Sequence, residues 1–252
     1  MTISLTHALV TGGATGIGKA IAEALAKAGV EVTICGRRKE ALDAVAQGNP
    51  KIHAMTADVT DEASVETLYR EAEAARGPFD IVVANAGIAS SAPAHKTSLE
   101  EWKRIIDVNL TGAFLTVRPA LAGMVERRRG RIVFIASVAG LKGSAYVAPY
   151  VASKHGVIGL TKSLAAELLK TGVTVNAICP AYVETEMLEQ SIARVMEKTG
   201  RSAEEARQNF AEFNPNHRLI KPEEVAAAAM WLVSDEAISV TGQPVAISGG
   251  PL

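Results

Sequence analysis

The sequence predicts an α/β chain built as a doubly wound parallel sheet with helices on both faces. Three observations carry this. Short apolar runs alternate with longer stretches of helical period from end to end. The first run leads into a glycine-rich turn placed directly before a helical stretch. The length of 252 residues suits one domain with a sizeable core, and no linker, repeat or low-complexity stretch divides it. One domain over 1–252 is expected.

Taken in order, H-A-L-V-T at 7–11 reads as a strand, followed by a helix over 16–28. A second strand over 30–35 precedes a helix over 39–47, and a third over 52–55 precedes one over 61–76. A strand over 80–84 leads to a single long helix over 99–127. The run R-I-V-F-I-A at 131–136 reads as a buried strand, and 137–154 then enters a helix beginning near Pro149, a residue suited to a first turn. That helix carries Val157, Ile158, Leu160, Leu164 and Leu168 at helical spacing. A strand over 173–178 and a last strand over 244–247 close the sheet. Strands covered on both faces are expected to read as continuous apolar runs.

Charge is balanced, with 26 Lys and Arg against 27 Asp and Glu, so nothing favours a nucleic-acid or membrane partner. The one basic cluster, Arg127, Arg128, Arg129 and Arg131, is read as a solvated face where a helix ends. Cys35 and Cys179 lack metal-type partners and are read as buried free thiols in a reducing compartment. The first residues lack signal-peptide regions, and the apolar run 225–233 is too short to span a bilayer. A soluble, cytoplasmic protein without metal is expected.

The turn T-G-G-A-T-G-I-G is the first candidate site. Gly12, Gly16 and Gly18 allow a tight turn and leave room for a pyrophosphate against the helix N-terminus at Thr15, Gly16 and Ile17. The order is not that of a Walker loop. At the end of the second strand, where an acidic residue would hold ribose hydroxyls, stand Arg37 and Arg38, two guanidiniums suited to a 2′-phosphate. NADP(H) is therefore favoured, with NAD(H) the alternative.

Y-V-A-S-K places Tyr150 and Lys154 four residues apart on one helix face, where an ammonium is expected to favour the phenolate. Ser137 follows the buried strand, at a strand end where ligands bind. Ser137, Tyr150 and Lys154 together resemble the short-chain dehydrogenase/reductase family, and the likeness covers the whole chain. The resemblance implies a Rossmann-type fold and hydride transfer between a nicotinamide and a carbonyl carbon. It gives Tyr150 the role of general acid or base, Ser137 that of positioning the carbonyl oxygen, and Lys154 that of lowering the phenol and holding ribose hydroxyls. It makes Asn109, in D-V-N-L-T-G, the fourth catalytic residue, interrupting its helix and anchoring a water.

By the same resemblance, Asp58 and Val59 hold the adenine, and N-A-G at Asn85, Ala86 and Gly87 lines the cofactor site. Pro180, Val183 and Thr185 contact the nicotinamide end. Ala84 and Ala181 depart from the family's Asn and Gly. Residues 186–218 correspond to a substrate lid, with Met187, Leu188 and Ile192 as pocket wall or packing. The five histidines are read as structural. The segments around 148–157 and 176–187 look like ketoreductases and hydroxyacyl dehydrogenases of polyketide and 3-hydroxybutyrate types. A 3-oxoacyl thioester or related β-keto compound is the expected substrate. An NAD(H)-dependent dehydrogenase of a secondary alcohol or hydroxy acid, and a dinucleotide-binding regulator without turnover, are the competing readings. Relatives suggest a homotetramer.

Overall fold

The computed structural model describes residues 2–251. Seven strands form one parallel sheet in the order β3-β2-β1-β4-β5-β6-β7. They are β1 (His7–Thr11), β2 (Glu31–Gly36), β3 (Ile52–Thr56), β4 (Ile81–Ala84), β5 (Gly130–Ile135), β6 (Val173–Pro180) and β7 (Pro244–Ile247). The chain moves outward from β1 through β2 and β3, then returns to place β4 on the other side of β1. This reversal opens a crevice beyond the C-terminal ends of β1 and β4, where open α/β sheets bind their ligands.

Strand side chains alternate between two cores. Ala8, Val10, Val133 and Ile135 pack with α1 (Gly16–Lys27), α2 (Lys39–Gln47) and α9 (Pro222–Val233) through Ile21, Leu25, Leu42 and Val225. Leu9, Ile132 and Phe134 pack with α3 (Glu62–Arg76), α5 (Gly112–Glu126) and α6 (Ala148–Glu167) through Leu68, Val117, Met124 and Leu164. With helices on both faces, the strands need no polar side, and the expected fold class and element order are found.

The helix expected over 99–127 is two helices, α4 (Leu99–Ile106) and α5, joined by a π turn at Asp107–Thr111, so the run is interrupted at Asn109 as the family resemblance implies. Neither Pro nor Gly lies within that turn. The wider turn carries Asn109, which is 1% exposed, and its amide is drawn onto the backbone of Ile88. Gly112 follows because a Cβ there would lie 2.8 Å from the Val59 side chain. The joined run Leu99–Glu126 is long and apolar enough to cross a membrane by length and composition alone. Its Ala113, Val117, Ala120 and Met124 are buried under the sheet.

Residues 186–218 form α7 (Glu186–Thr199), α8 (Ala203–Glu212) and a connecting loop. Leu188 and Ile192 pack with Ala206, Ala211 and Leu219 in a small third core, whereas Met187 stays partly exposed. Buried Asn214 fixes this layer to the sheet, donating to Tyr182 O and Arg218 O at 3.0 and 2.7 Å and accepting from Tyr182 N at 3.0 Å.

The basic cluster requires a correction. Only part of it is a solvated face, because buried Asp80 gathers it. Arg129 donates to Asp80 at 2.5 Å and Arg127 lies 3.9 Å from it. Thr6 adds its N–H and hydroxyl, each at 3.0 Å, and Arg131 is itself buried at 4% exposure. A buried carboxylate just before β4 attracts guanidiniums that would otherwise extend into water.

Removing that carboxylate leaves a guanidinium and a backbone N–H without their acceptor. Asp80→Ala is expected to lower stability by about 3 kcal/mol. For a chain of this size that is a fall in Tm of roughly 6–12 °C, readable by calorimetry. A change below about 1 °C would show that the cluster is merely a surface feature.

Candidate active site

β1 runs through Thr11 into a turn with Gly12 at φ +64° and Gly16 at φ +52°, a region open mainly to glycine. Thr15 precedes α1 without a side-chain capping bond, and no acidic residue stands in the first turn. The N-terminal amides around Gly16, Ile17 and Gly18 therefore have no side-chain cap, which suits an anionic ligand. A Cβ on Gly18 would stand 2.4 Å from Gly12 O, so only glycine lets the helix approach the turn.

The end of β4 is tied to this turn. Asn85 Nδ2 donates to Thr11 O at 2.9 Å and to Gly12 O at 3.3 Å. The N–H groups of Asn85 and Ala86 both donate to the Thr11 hydroxyl at 3.1 Å. Thr185 closes the other side, its methyl 3.0 Å from where a Cβ on Gly16 would lie. Thr185 also caps α7, and Val183 bridges to Ile220. Ala181 lies outside the left-handed region, so an alanine serves where the family's glycine was expected.

At the end of β2, Arg37 and Arg38 are exposed, and Arg38 pairs with Glu186 at 2.9 Å. Asp58 accepts from the Thr60 N–H at 2.9 Å and hydroxyl at 2.7 Å. The Thr60 backbone bond chiefly holds its carboxyl below the usual range, with the Arg37 charge a smaller influence. Val59 is buried against Gly112.

The groups suited to proton transfer meet between β4, β5 and α6. Lys154 is 5% exposed, and its ammonium donates to Ile135 O at 2.8 Å. Burial pushes it down to about 8. A Cβ on Gly87 would lie 3.4 Å from Asn109 Oδ1 and 3.6 Å from Lys154 Nζ, so the three share one small space. Asn109 Oδ1 accepts from Ile88 N at 2.8 Å, and its Nδ2 donates to Ile88 O and to the Ser153 hydroxyl, both at 3.0 Å. Ser137 opens a short 3-10 turn, accepting from Ala139 N at 3.1 Å and donating weakly to Pro180 O at 3.4 Å.

Tyr150 sits one turn before Lys154, with the Lys154 ammonium 5.6 Å from its ring centre. Burial pushes the phenol above its ordinary value, and the Ser137 hydroxyl beside it pulls the opposite way. The expected lowering of the phenol by Lys154 is not found: burial chiefly raises the phenol and lowers the ammonium, whose hydrogen bond goes to the Ile135 carbonyl.

The structure thus brings together every residue of the glycine turn, the N-A-G segment and the Ser-Tyr-Lys-Asn group, with Arg37, Arg38, Asp58 and Val59 at the neighbouring strand ends. Thr11, Ser153 and the Ile88 backbone were missed as positioning groups. Thr11, at the head of T-G-G-A-T-G-I-G, and Ser153, inside Y-V-A-S-K, left a sequence signal, and the Ile88 backbone did not. Cys35 and Cys179 are buried free thiols pushed up to about 12 and about 11 by burial. Buried His7 bonds to Gly77 O and Thr33, His53 pairs with Glu31, and His95 and His155 are exposed.

Comparison with known proteins shows the family and the fold. The family model described as short chain dehydrogenase matches residues 6–195. A 3-oxoacyl-[acyl-carrier-protein] reductase of Aquifex aeolicus is 38% identical, over 96% of this chain and 95% of its own. A D-beta-hydroxybutyrate dehydrogenase of Cupriavidus necator is 39% identical, over 96% of each chain. Among solved structures, a point variant of the actinorhodin polyketide ketoreductase crystallised with NADPH superposes with TM-score 0.94 at 38% identity, covering 99% of this chain and 98% of that one.

Two glycines separate shape from space. Gly18→Ala forces a Cβ into a backbone oxygen and should cost about 1–3 kcal/mol. Gly87→Ala meets only ordinary contacts and should keep its Tm within about 2 °C. Thermal melts of both variants check this, and equal losses would contradict the geometry.

Proposed function

The chain belongs to the short chain dehydrogenase family, and from that premise we propose that it is an NADP(H)-dependent ketoreductase acting on a 3-oxoacyl thioester or related β-keto compound. The observation that carries the reading is the meeting of Ser137, Tyr150, Lys154 and Asn109 beside an uncapped helix N-terminus. The residues present fit the cofactor. The glycine turn and the first turn of α1 would hold the pyrophosphate, with Asn85, Ala86, Gly87, Pro180, Val183 and Thr185 around the remainder and Asp58 and Val59 toward the adenine. Arg37 and Arg38 would hold a 2′-phosphate, and Gly36 places no carboxylate at the end of β2 itself.

When bound, the nicotinamide supplies the hydride for reduction or accepts it in oxidation. The chain's own residues handle the oxygen and its proton. Ser137 can exchange its long bond to Pro180 O for one to the carbonyl oxygen, stabilising the charge that develops there. Tyr150, kept protonated by burial, gives its proton to the forming alkoxide as general acid and takes one back in oxidation. Lys154, set near 8, would hold the ribose hydroxyls and carry a proton that is exchangeable near neutral pH. Asn109 fixes Ile88 and Ser153 and so shapes the wall around Lys154. Helices α7 and α8 would cover the substrate. Trp102, Phe114 and Trp231 leave apolar surface on α4, α5 and α9, which suits the homo-oligomer that the family resemblance implies.

The test is NADPH and NADH oxidation with an acetoacetyl thioester, followed by simple ketones. NADPH with the thioester is expected to give the highest kcat/KM. Tyr150→Phe should lower kcat about 10²–10⁴-fold while leaving the Kd for NADPH unchanged. An active Tyr150→Phe enzyme would overturn the mechanism. Equal use of NADH would overturn the cofactor, and activity confined to simple ketones the substrate.

A further inference from the structure

Glu186 is the first residue of α7. Its neighbour Thr185 touches the glycine turn, so this carboxylate stands at the rim of the crevice. It pairs there with Arg38 at 2.9 Å, and the Arg38 and Glu186 side chains are 62% and 52% exposed. Arg37, the adjacent guanidinium, contributes instead to the field on Asp58. Of the two arginines at the end of β2, Arg38 is thus the one held in an ion pair, by a carboxylate on α7.

From this, and resting on the NADP(H) reading above, we infer that Glu186 is a specificity-determining residue that competes with the cofactor's 2′-phosphate for Arg38. For Arg38 to turn its Nη2 onto the phosphate alongside Arg37, it must exchange the Glu186 carboxylate for it. The exchange is not prohibitive. Glu186 lies in the first turn of α7, where the helix dipole favours a negative charge once the arginine has left. The pair is exposed and individually weak, so it sets the degree of preference for a 2′-phosphate without abolishing binding. A ligand lacking that phosphate leaves the pair intact and is indifferent to it.

The experiment is calorimetric titration of the full chain with adenosine 2′,5′-bisphosphate and with adenosine 5′-monophosphate, which need no turnover. The comparison covers wild type, Glu186→Gln, Arg38→Gln and the double variant. Glu186→Gln should tighten the bisphosphate roughly two- to five-fold, the scale of an exposed ion pair, and leave the monophosphate unchanged. In the Arg38→Gln background the Glu186 substitution should have no effect on either ligand. If wild type prefers the bisphosphate but Glu186→Gln binds it no better, the inference fails and the NADP(H) reading stands. If neither wild type nor Glu186→Gln prefers the bisphosphate, both fail. Equal tightening of the two ligands would show a general loosening of α7 and would also overturn the inference.

Discussion

A buried ammonium with one carbonyl acceptor is the constraint around which the site is arranged. Removing a charge from water is costly unless it is hydrogen-bonded, and Lys154 finds its acceptor in Ile135 O at the end of β5. This contact requires α6 to lie close against the C-terminal end of β5. Gly140 makes the approach possible, since a Cβ there would stand 2.7 Å from Lys154 O. Once α6 is fixed, Tyr150 is carried one turn earlier on the same face, beside Ser137. The order of proton affinities then follows from desolvation, which raises a buried phenol and lowers a buried ammonium.

The neighbouring elements reinforce that placement from three directions. The Thr11 hydroxyl and the Asn85 side chain fasten the end of β4 to the glycine turn. The π turn brings Asn109 onto Ile88 and Ser153, the kind of local irregularity that recurs at functional sites. Thr185 and the first turn of α7 complete the rim. A crevice that opens at the reversal of strand order is thereby given fixed walls, with a place for an anion at one end and a proton donor at the other.

The fold was legible because its signals are local. Continuous apolar runs mark buried parallel strands, and the spacing of Gly12, Gly16 and Gly18 marks the turn they make. Tyr150 and Lys154 were legible because four residues is one helical turn. What could not be read depends on contacts distant in the chain. D-V-N-L-T contains no helix breaker, so the interruption at Asn109 came from the family resemblance and not from local signals, and its π turn accompanies a hydrogen bond from Ile88 N to the Asn109 side chain, 21 residues away. Asp80 and Arg129 meet across 49 positions, and Arg38 and Glu186 across 148. The relative pKa values of Tyr150 and Lys154 depend on how deeply each is buried, which residue spacing does not encode.

The most direct test of this account is a pH titration of Lys154 in protein carrying ¹³C-labelled lysine side chains, with Lys154→Ala assigning the resonance. The account predicts one lysine that titrates at about 8, well apart from exposed lysines near ~10.4. A Lys154 resonance titrating with the exposed lysines would contradict the claim that a desolvated ammonium organises the site.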